Sequence, residues 1–328
     1  RKKKSSYDCI LGVSGGSDST KLALWLKDKF AVNPLLVCST LSPEHISDRG
    51  AKNLSNLINL GFDVLITAQG PKTWKKILKK GFYDGNYIRG PELALYSSLP
   101  QIAIKYGIEL ICWGEGGNAK QFDASIINFK DKFDANKLRY SRTLRNCNTD
   151  WIKDLCNNDA SLIQYKYPTL KEFKKNNLQI IYLGSFWKNH NFTYAPTFSA
   201  LEGLEIRTDE VKNTGDLYGI KALDDDYHII NQMIKYLKFG CGRATDYMNY
   251  ELRYGNVSRS RAIRIITKYD GACGKKYIKG FCKLINISEK EFWAVIIKYT
   301  NKKLFKIKKI KSKYKINKKF IVGKGLHV

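Results

Sequence analysis

The strongest constraint on the fold is an alternation of short apolar runs with amphipathic segments through the first half of the chain. The runs that read as buried strands are residues 7–13, 34–38, 62–67, 108–113 and 179–183. Apolar residues at helical spacing predict helices over 20–30, 47–60 and 91–106, the last interrupted or kinked at Pro100. Strands buried on both faces and separated by helices predict parallel βαβ units, so we expect an α/β fold with a doubly wound parallel sheet.

The second half of the chain has a different pattern. From about residue 190 it reads as mostly helical and rich in Tyr and Arg, without an internal repeat or a flexible linker. We therefore expect an α/β domain over residues 1–185. A mainly helical C-terminal domain over residues 186–328 would serve a substrate or a partner and end in a Lys-rich tail.

Composition narrows the class of protein. The chain has 328 residues, of which 43% are hydrophobic, so a sizeable core can form and wholesale disorder is excluded. No apolar stretch is long enough to span a bilayer and no secretory signal peptide opens the chain, so we expect no membrane span and a cytoplasmic location. Eight Cys lack any C-x-x-C spacing, which argues against a zinc or iron–sulfur site and for reduced thiols.

The positive charge is concentrated at the C-terminus. The formal net charge is +27, and residues 292–328 contain twelve Lys without a single acidic residue. A basic tail indicates either a nucleic acid or an anionic surface as partner, or simply a solvated end. Ile and Phe interleave with the lysines over residues 304–310, which is typical of a packed element.

The turn after the first strand carries the clearest chemical signal. It reads Ser14-Gly15-Gly16-Ser17-Asp18-Ser19 and leads directly into a helix. Two glycines let the backbone approach an anion closely, and the first amides of the helix then point at it. Asp18 would repel a phosphate by itself, so its presence indicates a bridging Mg²⁺. The loop is neither a Walker A motif nor a dinucleotide fingerprint.

The sequence S-G-G-x-D-S after a first strand resembles the signature of the PP-loop ATP pyrophosphatases. The resemblance implies a HUP-like sheet, and a loop formed by Ser14, Gly15, Gly16, Ser17, Asp18 and Ser19 that holds the phosphates of ATP. In that superfamily ATP is split into AMP and pyrophosphate as a substrate oxygen is adenylylated. The same resemblance implies that Cys38-Ser39-Thr40 holds the adenine and that Gly114-Glu115 lies near the α-phosphate or the metal.

Further blocks resemble the N-acetyl sugar amidotransferases within that superfamily. They are Gly85-Asn86-Tyr87, Ile104-Lys105-Tyr106-Gly107-Ile108, Trp113-Gly114-Glu115, Lys238 to Asp246 with its G-R-A-T-D core, Arg253-Tyr254-Gly255, Ser258-Arg259, Lys268-Tyr269-Asp270-Gly271 and Thr300 to Phe305. These enzymes convert an acetamido group into an acetamidino group during bacterial surface-polysaccharide and flagellin-glycan synthesis. Pseudaminic acid, legionaminic acid and the acetamido sugars of O-antigen lipopolysaccharide are the substrates that the resemblance implies.

The resemblance also implies roles for individual residues. Asp18 and Glu115 would be metal-binding and catalytic, with ATP and Mg²⁺ as cofactors. Arg243, Thr245 and Asp246 would line the nucleotide–sugar interface, with Arg243 and Asp246 taking part in catalysis. The competing interpretation of Arg243 and Asp246 is a structural ion pair at a helix end.

Ammonia would come from another protein. A nucleophilic Cys needs a His partner, and the four His residues form no motif around Cys241. The resemblance implies a separate glutaminase, with a synthase-like channel subunit as a further partner.

The main alternative to a sugar amidotransferase is a PP-loop tRNA-modifying enzyme, which the net positive charge favours. The chain contains no recognisable RNA-binding module, so no nucleic acid partner is expected. A nucleotide-binding scaffold without activity is a third reading.

Overall fold

The computed structural model describes residues 5–114, 139, 149–156, 159–183, 194–310 and 313–324. Its strands are β1 Cys9–Gly12, β2 Pro34–Thr40, β3 Val64–Ala68, β4 Leu110–Trp113, β5 Gln179–Tyr182, β6 Phe305–Ile310 and β7 Lys313–Lys318. Its helices in the first two thirds are α1 Ser17–Phe30, α2 Asp48–Asn59, α3 Pro71–Tyr83, α4 Arg89–Tyr106, α5 Asp150–Lys153, α6 Leu170–Lys175 and α7 Ala195–Leu201. A 3₁₀ helix covers Asp159–Tyr165.

The remaining helices follow closely in sequence. They are α8 Val211–Thr214, α9 His228–Phe239, α10 Arg243–Arg253, α11 Arg259–Tyr269, α12 Lys275–Ile285 and α13 Glu289–Tyr299. No helix within these described ranges is both long and apolar enough to cross a membrane. The mainly helical character expected for the second half is confirmed.

The five-stranded sheet confirms the predicted fold class. Its order is β3-β2-β1-β4-β5, and all four pairings are parallel. The chain runs outward from β1 to β3 and then crosses back to β4 on the other side of β1. This change of direction creates a crevice beyond the carboxyl ends of β1 and β4, where ligands bind in open α/β sheets.

Both faces of the sheet are buried at its central strands β1 and β2. Successive residues of β1 alternate between two apolar clusters, because neighbouring side chains of a strand point to opposite faces. Ile10 belongs to one cluster with residues of α4, and Leu11 belongs to the other with residues of α1 and α2. Helix α4 continues through Pro100, so the predicted interruption is wrong, whereas a kink at this residue stays a prediction.

The chain forms two compact units. The sheet unit comprises Arg1–Ile77, Arg89–Ile206 and Ala222–Asp225, and the helical unit comprises Leu78–Ile88, Arg207–Lys221 and Asp226–Val328. Each unit therefore collects several segments of the sequence. The expected boundary between an α/β domain and a helical domain, after residue 185, stays a prediction.

Candidate functional site

The Ser14–Ser19 loop connects β1 to α1 at the crevice of the sheet. The strand ends as the Val13 amide donates to the carbonyl of Val37 at 3.0 Å, and Gly15 then turns the chain with a φ of +75°. A Cβ built on Gly15 would lie only 3.0 Å from the Cβ of Asn53 in α2. Only glycine fits this left-handed conformation and this close packing without strain.

The loop leaves the start of α1 open. Gly16 is the N-cap, with an extended backbone and no capping side chain among the described residues. Its carbonyl accepts from the Thr20 amide at 3.1 Å, and from the hydroxyls of Ser19 at 3.1 Å and Thr20 at 3.0 Å. The first amides of a helix need a partner from outside it, and a bound anion provides one. This arrangement suits the predicted phosphate contacts of the backbone, whereas the Ser19 hydroxyl is engaged within the helix.

The turn after β4 lies beside the same helix start. A Cβ built on Gly114 would lie 3.3 Å from Leu22 Cδ1 and 4.0 Å from Ser19 Cα. The structure thus brings Gly114 and the Ser14–Ser19 loop together, as expected for the carboxyl ends of adjacent parallel strands. Glu115, the predicted second acid, lies outside the described residues.

The end of β2 carries polar atoms that have no partner. The hydroxyl of Thr40 and that of nearby Ser42 are buried without a hydrogen bond in the described part of the chain. A buried polar group without a partner costs about 1 to 3 kcal/mol, so such groups mark a place where a ligand can be received. Cys38 differs, because its thiol lies in the core and burial raises its pKa well above the ordinary value. Cys38 could contact a ligand only through its backbone.

One carboxylate in this region suits a divalent cation. Asp18 lies in the first turn of α1 and is partly exposed. Among the described residues, no group of three or more His, Cys, Asp or Glu side chains forms a metal cage. Mg²⁺ is usually held by one or two carboxylates together with substrate phosphates and water, so a single acid beside a phosphate loop fits this ion.

The G-R-A-T-D block forms the start of α10. Gly242 is the N-cap, and the carboxylate of Asp270 takes the place of a capping side chain. It accepts from the Gly242 amide at 2.8 Å, from the Thr245 amide at 3.1 Å and from the Thr245 hydroxyl at 2.6 Å. Burial raises the pKa of Asp270 more than these hydrogen bonds lower it. The K-Y-D-G block thus serves to cap the helix that the G-R-A-T-D block begins.

The other two predicted substrate residues have unlike surroundings. The Asp246 carboxylate binds Lys235 Nζ through both oxygens at 2.7 Å and lies 3.9 Å from Arg243. A guanidinium nitrogen of Arg243 lies 2.8 Å from His228 Nε2, which also lies 2.9 Å from Gln232 Nε2. The closer ion pair is therefore Lys235–Asp246, and Arg243 keeps donors for an anion.

Sequence reasoning missed a buried polar chain at the loop after β2. His45 Nδ1 accepts from the Trp74 indole N–H at 3.0 Å, and His45 Nε2 donates to Asp225 at 2.8 Å. The same segment accepts from Ser47, since the carbonyl of Leu223 receives its hydroxyl at 2.6 Å. His45 and Asp225 are 180 residues apart, and no local pattern signals such a contact.

The predicted residues divide between the two units. The Ser14–Ser19 loop, Cys38–Thr40 and Gly114 belong to the sheet unit, whereas Arg243, Thr245 and Asp246 belong to the helical unit. The residues predicted to bind the nucleotide therefore lie in one unit and those predicted to bind the sugar lie in the other. Within each group, not all members contact one another. The roles of all these residues stay predictions.

Comparison with known proteins gives one family match. Residues 213–320 match the model of the LPS biosynthesis protein WbpG-like, C-terminal domain, which is less than half of the chain. No curated protein matches the sequence. One similar solved structure is the predicted subunit of tRNA methyltransferase from Methanocaldococcus jannaschii DSM, with 16% identity and a TM-score of 0.34, covering 70% of this chain and 87% of that chain. Most of the matched residues belong to the helical unit.

Proposed function

We propose that this protein is an ATP-dependent amidotransferase that converts the acetamido group of a sugar into an acetamidino group. The observation that carries the proposal is the Ser14–Ser19 loop, whose Gly15 turn and open helix start lie at the crevice of a parallel sheet. The match of residues 213–320 supports a sugar of bacterial lipopolysaccharide as the substrate class. Nonulosonic acids and acetamido sugars of O-antigen remain the candidates.

The chemistry has two steps. The carbonyl oxygen of the acetamido group attacks the α-phosphorus of ATP, and the bond to pyrophosphate breaks. Ammonia then adds to the activated carbon and loses protons, and AMP leaves with the former carbonyl oxygen. Adenylylation is required because a neutral amide gives up its oxygen too reluctantly for ammonia to displace it.

The chain's own groups have defined tasks in this scheme. The amides of Gly16 and the first turn of α1 bind the phosphates and stabilise charge on the departing pyrophosphate. The unpartnered hydroxyl of Thr40 receives the base or ribose of the nucleotide. Asp18, with Glu115 as second acid, would hold a Mg²⁺ ion that neutralises phosphate charge when bound.

The helical unit supplies the sugar contacts. Arg243 binds an anionic group of the substrate, because Asp246 lies closer to Lys235, at 2.7 Å, than to Arg243, at 3.9 Å. Asp246 holds Lys235 in place and also helps to orient the guanidinium group of Arg243. A sugar carboxylate or a nucleotide phosphate would satisfy the Arg243 fork with two hydrogen bonds.

Ammonia comes from a separate glutaminase, with a synthase-like channel subunit between the two enzymes. A glutaminase thiol must ionise readily. Burial instead raises the pKa of Cys241, although the neighbouring Lys235 opposes this shift. This environment supports an external source of ammonia.

The test measures AMP and pyrophosphate released from ATP with Mg²⁺ and ammonium, across a panel of acetamido sugars. We expect one sugar to drive release and to gain an imino group in place of oxygen. Asp18→Asn should slow release roughly a hundredfold, whereas Asp28→Asn on the exposed side of the same helix should not. Release driven by bulk tRNA and by no sugar would favour the RNA-modifying class, which the net charge of +27 suggests.

A further inference from the structure

The C-terminal lysines form an ordered ribbon. Strands β6 and β7 pair antiparallel, with Phe305 opposite Lys318 and Ile307 opposite Ile316. Residues 302–319 contain ten Lys, no Arg and no acidic residue. The basic tail is therefore a paired β-ribbon. It carries a high density of positive charge along both strands.

The register gathers lysines on one face of this ribbon. Lys306 lies opposite Asn317, and Lys308 lies directly opposite Lys315. Like charges directly opposite each other destabilise a strand pair, so this face lowers the stability of the hairpin by itself. A negatively charged partner would remove that cost.

The lysines of this face are available to a partner. Lys306, Lys308 and Lys315 are all exposed. Within the part of the chain that the structure describes, none of the ion pairs involves a lysine of β6 or β7. The charge on the ribbon is therefore not neutralised by those neighbours.

The base of the ribbon is fixed to the helical unit. Phe305 is 2% exposed, and its ring packs edge-on against Tyr236 at 5.2 Å and against Phe320 at 5.6 Å. The Lys319 amide donates to the carbonyl of Leu304 at 2.8 Å. These contacts hold the two strands in place, so the lysine face is a prearranged surface.

Exposed apolar side chains accompany the charge. Ile310, the last residue of β6, is 54% exposed. Ile321, just after β7, is 63% exposed, and Phe239, the last residue of α9, is 67% exposed. Both line an open cavity of about 280 Å³ at the base of the ribbon. Large apolar groups beside lysines are typical of proteins that lie at the boundary between lipid headgroups and acyl chains.

We propose that this ribbon docks the protein on an anionic phospholipid bilayer. The lysines would meet lipid phosphates, and the exposed apolar side chains would enter the headgroup boundary. Single-stranded nucleic acid fits these two strands less well, because its bases stack on aromatic side chains exposed along the binding strands. In this ribbon Phe305 is buried, Tyr314 is only partly exposed, and Arg is absent. The proposal is independent of the amidotransferase reaction.

The test is cosedimentation of the full chain with vesicles of phosphatidylcholine alone or mixed with phosphatidylglycerol. We expect binding only to the anionic vesicles, weakening as salt shortens the range of electrostatic attraction. The triple variant Lys306→Gln, Lys308→Gln and Lys315→Gln should bind about a hundredfold more weakly. Ile310→Ser should also weaken binding while leaving the charge unchanged.

A matched control separates the ribbon from net charge. Lys171→Gln, Lys174→Gln and Lys175→Gln remove the same charge from exposed positions of α6 in the sheet unit, and should leave vesicle binding unchanged. Equal binding to neutral vesicles, or an equal loss in this control, would overturn the proposal. Binding of bulk tRNA through the ribbon lysines without vesicle binding would overturn it in favour of a nucleic acid partner. Thermal unfolding of each variant verifies that the fold is intact.

Discussion

At the residue scale, Gly15 combines two demands that no other residue meets. Its φ of +75° belongs to the left-handed region, and its missing side chain makes room for Asn53. The sequence alone indicated the phosphate loop, because two glycines followed by a helix are a local pattern. It could not indicate Asn53, which approaches from another helix.

Gly15→Ala should therefore lower the free energy of unfolding by about 1 to 2 kcal/mol and weaken ATP binding. Two control glycines separate the causes. Gly255→Ala has a similar φ of +73° but open space, and Gly70→Ala has open space and an ordinary φ. Urea unfolding and equilibrium ATP binding of the three variants test this. A Gly15→Ala variant that binds ATP as tightly as Gly70→Ala would contradict the role of the loop.

Asp270 shows how two sequence blocks combine into one structural feature. It supplies three hydrogen bonds to the start of α10, yet it lies 25 residues or more from the groups that it caps. The sequence pattern marked both blocks but not their contact. Their closeness depends on how α10 and α11 pack, which is a tertiary property.

Asp270→Asn should lower the free energy of unfolding by about 1 to 2 kcal/mol, because the amide nitrogen cannot accept from a backbone amide. Asp84→Asn is the control, since it removes only an exposed pair with Lys80 and should cost a few tenths of a kcal/mol. The measurement is chemical denaturation at neutral pH. Equal losses in the two variants would show that the Asp270 cap contributes nothing beyond a surface charge.

At the element scale, helix starts carry a pH dependence. Ser288 and Glu291 form a capping box at α13, and Thr169 and Glu172 form another at α6. Hydrogen bonds from the backbone and side chain of Ser288 lower the pKa of Glu291 below its ordinary value of 4.5. For Glu172, the side-chain and backbone bonds from Thr169 do the same.

The sign of the pH effect follows from these lowered pKa values. Each cap stabilises the fold fully above the unfolded pKa and loses its contribution as pH falls through the folded pKa. Glu291→Gln should therefore unfold at a lower temperature than the wild type at neutral pH, and the difference should shrink in acid. Thermal unfolding between neutral pH and pH 3 measures this, with Glu289→Gln as a control outside the capping box. A difference that grows in acid would contradict the assignment.

The helices and strands also show which elements can be predicted from hydrophobic periodicity alone. All five strands of the parallel sheet are predictable from their apolar runs, which are continuous in β1 and β2 because both faces of these strands are buried. Helix α3 was not predicted, and its lysines obscure the apolar face that includes Trp74 and Ile77. The β6–β7 pairing was not predicted either, because the alternation of apolar residues with lysines indicates a packed element but not the partner of each strand.

At the scale of the whole molecule, each of the two units is built from segments that are not contiguous in the sequence. The short segment Ala222–Asp225 belongs to the sheet unit, although its neighbours on both sides belong to the helical unit. Buried contacts such as His45–Asp225 hold it there. Composition and periodicity describe neighbours in sequence, so they could not indicate this return of the chain.

The predicted site residues follow the same division. Those proposed to bind the nucleotide come from a local motif in the sheet unit, where Gly114 lies close to the Ser14–Ser19 loop. Those proposed to bind the sugar include Arg243 in the helical unit, whose neighbours His228 and Asp246 belong to α9 and α10. The motif named Arg243, but only the packing distinguishes it from the ion-paired Asp246.

In the proposed reaction, the oxygen of the substrate amide attacks the α-phosphorus of ATP. The most direct test of this step uses the acetamido sugar that supports turnover, labelled with heavy oxygen in its acetamido carbonyl, together with ATP, Mg²⁺ and ammonium. Mass spectrometry of the nucleotide product then follows the label. The proposed mechanism predicts AMP that carries the heavy oxygen, and unlabelled pyrophosphate. Unlabelled AMP, or cleavage to ADP and phosphate, would contradict it.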